Sequence, residues 1–227
     1  MPRSSRPAES GAAPVPVRAG RNMHRSVPRQ IRIIGGAWKR TPLPVLDLDG
    51  LRPTPDRVRE TLFNWLGQEL DGQICLDLFA GSGALGMEAA SRGAARVVMV
   101  ERNARAAKQL RANQERLEAS AVEVVEADAL RLAAGMRPES YDVVFLDPPF
   151  EGDLLARALQ VCLPLVKPHG ALYIESALPL DRLISNQAED VAARGGCPFP
   201  TLADWRVVRH GRAGAVFYHL LRRGNEE

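Results

Sequence analysis

The chain has 227 residues, of which 45% are hydrophobic and 25% are charged, the usual mixture in a globular protein. This length suits one large domain or two small ones, and the composition excludes collagen-like and coiled-coil chains. The three cysteines form no CxxC pair and the four histidines are scattered, which excludes paired zinc ligands and a secreted disulfide framework. We therefore expect a cytoplasmic protein without a metal or a membrane span.

The basic charge is concentrated at the N-terminus. Residues 1–30 contain six arginines against one glutamate, so the net charge of +3 for the whole chain leaves about −2 for the remainder. The segment is rich in proline and poor in large aliphatic residues, which predicts a disordered tail. It is either a dispensable extension or a polycation that touches nucleic acid, with a transit peptide or a start at Met23 as further alternatives.

The first predicted elements lie in residues 31–72. Two short strands, 31–38 and 43–45, are expected around a Gly35-Gly36 turn. A helix is expected from Thr54-Pro55 to Leu66, with Thr54 as its capping residue and Pro55 in its first turn. We interpret this region as an N-terminal hairpin-and-helix extension.

From residue 73 to 223 the pattern alternates between strands and helices. This alternation predicts a Rossmann-like α/β sheet that is mostly parallel, with an antiparallel pair at the C-terminus around a turn at residues 211–214. The predicted strands are 74–79, 96–101, 122–126, 141–146, 171–175, 205–210 and 215–221, and the predicted helices are 84–92, 103–117, 129–133 and 154–163.

A GxGxxG turn follows the first strand of this sheet, with Gly81, Gly83 and Gly86 at the glycine positions. Glycine allows a tight turn and close approach of a ligand to the backbone. Glu101 lies 20 residues after Gly81, a spacing at which a carboxylate accepts hydrogen bonds from ribose hydroxyls. The pattern favours a nucleotide-type cofactor, and NAD, FAD and S-adenosylmethionine remain alternatives at this point.

Two further acidic residues stand near the carboxyl ends of strands, where open α/β sheets bind ligands. Asp77 ends the first strand and is expected near an amino group of the cofactor, or in a turn or capping role. Asp128 follows the third strand and either holds an adenine amino group or caps the short helix that begins at Ala129.

The most specific segment is Asp147-Pro148-Pro149-Phe150, directly after the fourth strand. The two prolines fix two φ angles and remove two backbone donors. The Asp147 carboxylate and the Pro148 carbonyl can then accept both hydrogens of a planar amine, while Phe150 stacks on the base that carries it. A dinucleotide dehydrogenase has no use for this arrangement.

Five segments stand out together: RIIGG (32–36), LRPT (51–54), DRVRETLFNWL (56–66), CLDLFAGSGALG (75–86) and FLDPPF (145–150). They resemble the RsmD family of class I S-adenosylmethionine-dependent methyltransferases, which act on N2 of one guanine, position 966, in 16S ribosomal RNA. The resemblance spans about residues 31–223. It implies S-adenosylmethionine as the cofactor and 16S RNA, within the small subunit or an assembly intermediate, as the partner. We expect a monomer.

The resemblance also implies roles for individual residues. Asp77, Gly81, Gly83, Glu101 and Asp128 would surround the cofactor, and Asp147, Pro148 and Phe150 would hold a flipped guanine. Residues near the mouth of the site would bind substrate, although Arg57 could instead pair with a helix neighbour. The family usually has a basic-glycine-basic step after its first tryptophan, and here arginine replaces the glycine. The substrate-binding residues are Arg52, Thr54, Arg57, Lys39 and Arg40.

An adenine-N6 methyltransferase of DNA or RNA is the alternative enzyme, since the same proline loop can hold either amine. A non-catalytic RNA-binding module is a third possibility, which the intact Asp147 and glycine loop disfavour.

Overall fold

A computed structural model describes residues 30–46, 53–150, 152–184 and 200–224. The basic tail and Arg52 lie outside the described residues. No helix in these ranges is both long and apolar enough to cross a membrane.

The chain begins with a small antiparallel hairpin. Strand β1 (Gln30–Arg32) pairs with β2 (Pro42–Pro44), and Ile31 lies opposite Leu43. Both of these side chains are buried against the main domain. The predicted hairpin is confirmed, but its strands are shorter than expected, because residues 33–41 form a loop that turns onto the main domain.

Helix α1 (Asp56–Leu66) follows and ends at Gly67, whose φ of 105° is readily adopted only by glycine. Its buried face carries Val58, Leu62 and Phe63. The predicted capping role of Thr54 is wrong: Pro55 occupies the N-cap position and no side chain caps the helix.

A seven-stranded sheet forms the centre of the protein. Its order is β5-β4-β3-β6-β7-β9-β8, and neighbouring strands are parallel from β5 to β7. The last strand, β9, lies antiparallel between β7 and β8. The bounds are β3 (Ile74–Asp77), β4 (Arg96–Glu101), β5 (Val122–Glu126), β6 (Tyr141–Leu146), β7 (Val166–Ser176), β8 (Trp205–Ala213) and β9 (Val216–Arg223).

Helices and the hairpin cover both faces of this sheet. The hairpin, α1, α2 and α3 share one buried cluster with Phe145 and Tyr173, while α4 and α5 pack on the other face around Leu146 and Leu172. The predicted Rossmann-like architecture is therefore confirmed. The helix bounds are α2 (Ala84–Ser91), α3 (Ala104–Arg116), α4 (Ala129–Ala134) and α5 (Leu154–Cys162), followed by a 3-10 turn at Leu163–Leu165.

The C-terminal hairpin differs from the prediction at its turn. Gly211, expected in the turn, lies within β8 opposite Tyr218, and the strands reverse direction at Gly214. A Cβ atom at position 211 would lie 2.5 Å from the Tyr218 hydroxyl oxygen. The glycine therefore serves close packing of the tyrosine ring, a function that sequence pattern does not distinguish from a turn.

A buried ion pair joins the N-terminal extension to the sheet domain. The guanidinium of Arg59 in α1 lies 3.1 Å from the Glu88 carboxylate in α2, and both side chains are fully buried. Arg59 also bonds the Arg32 carbonyl at 2.9 Å and Asp56 at 2.7 Å. Glu88 in turn accepts from the amides of Ile34 and Gly35 and from Arg92.

Replacing Arg59 by methionine is expected to lower the free energy of unfolding by about 3–5 kcal/mol, because the Glu88 charge stays buried without its partner. Urea denaturation at neutral pH measures the change. Arg96→Met is the control, since Arg96 forms an exposed pair with Glu123 and its loss should cost at most about 1 kcal/mol. Equal effects of the two substitutions would contradict the structural role given to Arg59.

Candidate active site

The glycine-rich turn leads from β3 into α2. Gly81 and Gly83 have φ values of 50° and 80°, in the left-handed region that favours glycine. Gly83 is the N-cap residue of α2, and no side chain caps that helix. The turn therefore presents backbone rather than side chains at the carboxyl end of the sheet.

Glu101, at the end of β4, holds this turn in place. Its two carboxylate oxygens accept from the amides of Gly81 at 2.9 Å and Asn103 at 2.7 Å. The side chain is half-buried, so lone pairs remain on the oxygens for ribose hydroxyls. Glu101 thus fixes the glycine loop at the carboxyl end of β4.

Asp77 lies at the end of the central strand β3 and is 2% exposed. Its carboxylate accepts from the Gly86 amide at 2.9 Å. Burial raises its pKa, the Gly86 amide opposes this rise, and the nearby Glu101 and Glu175 add to it, so that the pKa of Asp77 is about 7. A buried acceptor of this kind is suited to a positively charged amino group.

Asp128 takes the position that the sequence predicted, with the capping role visible. It is the N-cap residue of α4 and accepts from the Arg131 amide at 2.9 Å. The side chain is exposed to solvent. Its part in holding an adenine stays a prediction.

The proline loop begins where β6 ends. Asp147 is half-buried, Pro148 is buried, and Phe150 is 49% exposed. Burial raises the pKa of Asp147 well above its ordinary value, with Glu175 and Asp77 adding to the effect and the Thr54 hydroxyl opposing it. The loop thus pairs a recessed carboxyl group with an accessible aromatic ring.

Glu175 is a residue of this site that the sequence analysis missed. Glu175, near the end of β7, is 4% exposed and accepts from the Tyr173 hydroxyl at 2.8 Å. Burial raises its pKa, and hydrogen bonding from Tyr173 and Thr54 lowers it. The signal was present, since Glu175 ends its strand as Asp77 ends β3, and the same rule for strand ends applies to both.

The predicted substrate-binding residues separate into two groups. Thr54 is 6% exposed and lies at the carboxylates, while Arg57 is exposed on α1. Lys39 and Arg40 are exposed in the hairpin loop, which bonds to Ser91 at the end of α2 opposite the glycine turn. The structure therefore does not bring Lys39 and Arg40 to the proline loop.

The hairpin loop shows how this chain accommodates arginine where the family usually has glycine. Arg40 has a φ of 70°, in the left-handed region. Its amide donates to the Ile33 carbonyl at 2.8 Å. The turn thus keeps a glycine-like conformation at a cost of about 1–2 kcal/mol.

The assembled side chains are acidic acceptors rather than metal ligands. Among the described residues, no group of three or more histidine, cysteine or acidic side chains could hold a metal ion. Five acidic residues stand at the carboxyl ends of five adjacent parallel strands. Asp77, Glu101 and Asp128 stand at the ends of β3, β4 and β5, and Asp147 and Glu175 at the ends of β6 and β7. Such a row suits a ligand that is cationic and rich in hydroxyl and amino donors.

The strand order and the placement of the site define a class I methyltransferase fold. Solved structures with low sequence identity to this chain share this fold. Trm1 from Pyrococcus horikoshii, solved with S-adenosyl-L-methionine, has a TM-score of 0.60 at 14% identity and covers 81% of this chain and 59% of its own. At that identity the likeness concerns the fold alone.

Closer relatives identify the family. Residues 31–194 match the family described as conserved hypothetical protein 95. The ribosomal RNA small subunit methyltransferase D of Escherichia coli is 40% identical over 86% of this chain and 90% of its own, and that of Haemophilus influenzae is 38% identical over 84% and 93%. The solved Escherichia coli methyltransferase yhhF has a TM-score of 0.70 at 38% identity, covering 87% of this chain and 99% of its own. The chain belongs to this RsmD family of methyltransferases.

The buried Asp77 predicts how stability depends on pH. Because its pKa is raised in the folded protein, Asp77 stabilises the fold at low pH, and this contribution is lost as the pH rises from about 4 to about 7. We expect the free energy of unfolding of the ligand-free wild type to fall more between pH 5 and pH 8 than that of Asp77→Asn. Asp204→Asn, an exposed site, controls for the substitution itself. Identical pH profiles for the wild type and Asp77→Asn would contradict this assignment.

Proposed function

We propose that this protein transfers a methyl group from S-adenosylmethionine to N2 of a guanine in small-subunit ribosomal RNA, the nucleotide corresponding to position 966 of 16S RNA. The observation that carries the proposal is that the Asp147–Phe150 loop lies beside the Asp77 carboxylate. The two lie at the ends of the neighbouring strands β6 and β3, where the chain crosses from one side of the sheet to the other. The printed names of the relatives, ribosomal RNA small subunit methyltransferases, support the substrate class.

The acidic row fits S-adenosylmethionine by its chemistry. That molecule carries an ammonium group, two ribose hydroxyls and an adenine amino group, all of them donors. Asp77 would accept from the ammonium, Glu101 from the hydroxyls and Asp128 from the adenine amine. The left-handed φ values of Gly81 and Gly83 let the turn present its backbone beside these carboxylates.

When bound, S-adenosylmethionine supplies an electrophilic methyl group on a sulfonium sulfur, which keeps the electron pair of the broken carbon–sulfur bond. The residues of the proline loop act on the other reactant. The Asp147 carboxylate and the Pro148 carbonyl accept from the N2 hydrogens and orient the nitrogen lone pair toward the methyl carbon. Positioning of this kind lowers barriers by up to about 7–11 kcal/mol in favourable cases.

Formation of the new nitrogen–carbon bond places positive charge on N2, which then releases one proton. An ionised Asp147 stabilises that charge and is placed to accept the proton before it passes to water. Phe150 is half exposed, so its ring is available to stack on a base that has left its own stack.

Labelled S-adenosylmethionine tests the proposal with two substrates, naked 16S RNA and small subunits that lack the modification. We expect label in N2-methylguanosine after digestion to nucleosides. Label in N6-methyladenosine would favour the alternative enzyme, and no label in either substrate would contradict the proposal.

Asp147→Ala is expected to lower the methyl-transfer rate by at least about 100-fold, because the amine loses its side-chain acceptor. The affinity for S-adenosylmethionine should change little. Single-turnover transfer and calorimetry measure the two quantities. Asp153→Ala is the control, since the Asp153 side chain follows the loop and is partly exposed. Its contact with Arg157 is long, at 3.9 Å. A rate for Asp147→Ala close to the wild-type rate would show that the loop does not hold the amine.

Glu101→Ala is expected to weaken S-adenosylmethionine binding by about 1.5–3 kcal/mol, the range for hydrogen bonds to a charged group. Glu101→Gln should lose less, because one amide oxygen can still accept. The exposed Glu115→Ala on α3 should bind as the wild type does. Calorimetry with NAD as a second ligand completes the test: tight NAD binding by the wild type would argue against the methyltransferase assignment.

A further inference from the structure

Strand register brings two of the buried carboxyl groups side by side. In the parallel pair β6 and β7, Phe145 lies opposite Tyr173 and Leu146 opposite Ile174. Asp147 and Glu175 are the next residues along each strand. Glu175 is 4% exposed, whereas Asp147 is only half-buried.

The N-terminal extension adds a hydroxyl group to this pair. Thr54, just before α1, is 6% exposed, and its hydroxyl interacts with both Asp147 and Glu175. Its carbonyl accepts from Arg59 at 3.2 Å, which fixes the backbone at this point. The segment that was expected to cap a helix thus completes the site from outside the sheet domain.

Counting donors limits the charge that this group can carry. The Tyr173 hydroxyl donates its one proton to Glu175. The Thr54 hydroxyl also has one proton, and it can donate to one carboxylate while accepting from a protonated carboxyl group. If Asp147 and Glu175 were both ionised, they would compete for that proton in a site with little water.

We propose that Thr54 and Glu175 are positioning residues for Asp147: a protonated Glu175 donates to the Thr54 hydroxyl, which donates to the ionised carboxylate of Asp147. This inference rests on the proposed function, in which Asp147 accepts from the substrate amine. The hydrogen-bond chain fixes the orientation of Asp147 and keeps its negative charge where the amine is bound.

Burial decides which carboxyl group holds the proton. Glu175 is the more enclosed of the two, so its ionised form is the more costly, while Asp147 lies closer to solvent and to the amine that would donate to it. Burial raises the pKa values of both groups, and the neighbouring Glu175 and Asp77 raise that of Asp147 further, so the pair shares one proton, whose location is assigned by the exposures of the two side chains.

Other ionisable groups surround the pair. Asp77 faces it from β3, Tyr173 lies on the same strand as Glu175, and Tyr218 pairs with Glu175 from β9. Tyr173 stays neutral in the working range, because burial and the neighbouring Glu175 raise its pKa well above its ordinary value. Asp77 is the one neighbour that titrates near pH 7, so Asp77→Asn serves as a background in which its titration is removed.

The pH dependence of single-turnover methyl transfer tests the chain of hydrogen bonds. Thr54→Val removes a bond that favours the ionised Asp147, so the acid limb should move up by about one pH unit and the rate should fall about tenfold. Thr54→Ser should restore both. Glu175→Gln keeps a neutral donor to the Thr54 hydroxyl in place of the protonated Glu175, so the acid limb should stay where it is in the wild type. Thr61→Val, whose hydroxyl bonds only the Arg57 carbonyl among the described contacts, is the matched control.

An upward shift for Thr54→Val and an unmoved limb for Glu175→Gln are expected, with the affinity for S-adenosylmethionine unchanged. A downward shift for Glu175→Gln would show that Glu175 is charged in the wild type and would overturn the proposal, as would an unmoved limb for Thr54→Val. A merely structural role for Thr54 would lower the rate without moving the acid limb.

A second measurement needs neither ligand nor turnover. In protein labelled with carbon-13 at glutamate δ-carbons, one resonance should keep the chemical shift of a protonated acid at pH 7 and disappear in Glu175→Gln. In Thr54→Val its titration should move. If every glutamate resonance of the folded wild type is ionised at pH 7, the proposal fails even where methyl transfer is observed. If the resonance behaves as expected but no RNA is methylated, the proposed function fails instead.

Discussion

The buried ion pair between Arg59 and Glu88 is the contact on which the arrangement of the site depends. Glu88 lies in α2, a helix in which every residue is buried, so its charge has no access to water. The charge is compensated by Arg59, by Arg92 and by two amides of the hairpin. Since Arg59 also bonds the carbonyls of Arg32 and Thr54, one side chain fixes both the hairpin and the start of α1 on the sheet.

The extension that this ion pair holds brings Thr54 to a group of carboxyl groups at one end of the sheet. Three of them lie close together: Glu175 raises the pKa values of Asp77 and Asp147, and Asp77 also raises that of Asp147. Burying carboxyl groups together is costly, because each ionisation in a site with little water is unfavourable. A cationic ligand beside Asp77 and an amine beside Asp147 would supply the missing donors, so ligand binding and ionisation of the site should favour each other.

The sequence predicted the sheet domain well and the contacts between its parts poorly. Strands β4 and β6 begin and end at the predicted residues, because these buried parallel strands are continuous apolar runs with clear boundaries. The edge strand β5 also has its predicted bounds, although it is only partly buried. The glycine turn, Glu101 and the Asp147 loop were found because their chemistry is local in sequence. The capping role of Thr54 and the turn position of Gly211 were assigned wrongly, since a threonine before a proline and a glycine between strands have local explanations that tertiary contacts override. Glu175 and Arg59 were not singled out: each is one charged residue in an ordinary pattern, and only the fold shows that it is buried.

Helix α2 is eight residues long and joins three parts of the structure: the glycine turn, the Arg59–Glu88 ion pair and the hairpin loop. Its N-terminus begins at the glycine turn held by Glu101, its middle carries Glu88, and its C-terminus holds the hairpin loop through Ser91. Gly86 faces the strands so closely that a Cβ atom there would lie 2.7 Å from Met99 and 3.1 Å from the Asp77 carboxylate. The helix is therefore seated against β3 and β4 with no freedom to shift alone. Because the same rigid element bears the glycine turn and anchors the extension that carries Thr54, the distance between the glycine turn and Thr54 is set by packing rather than by a flexible linker.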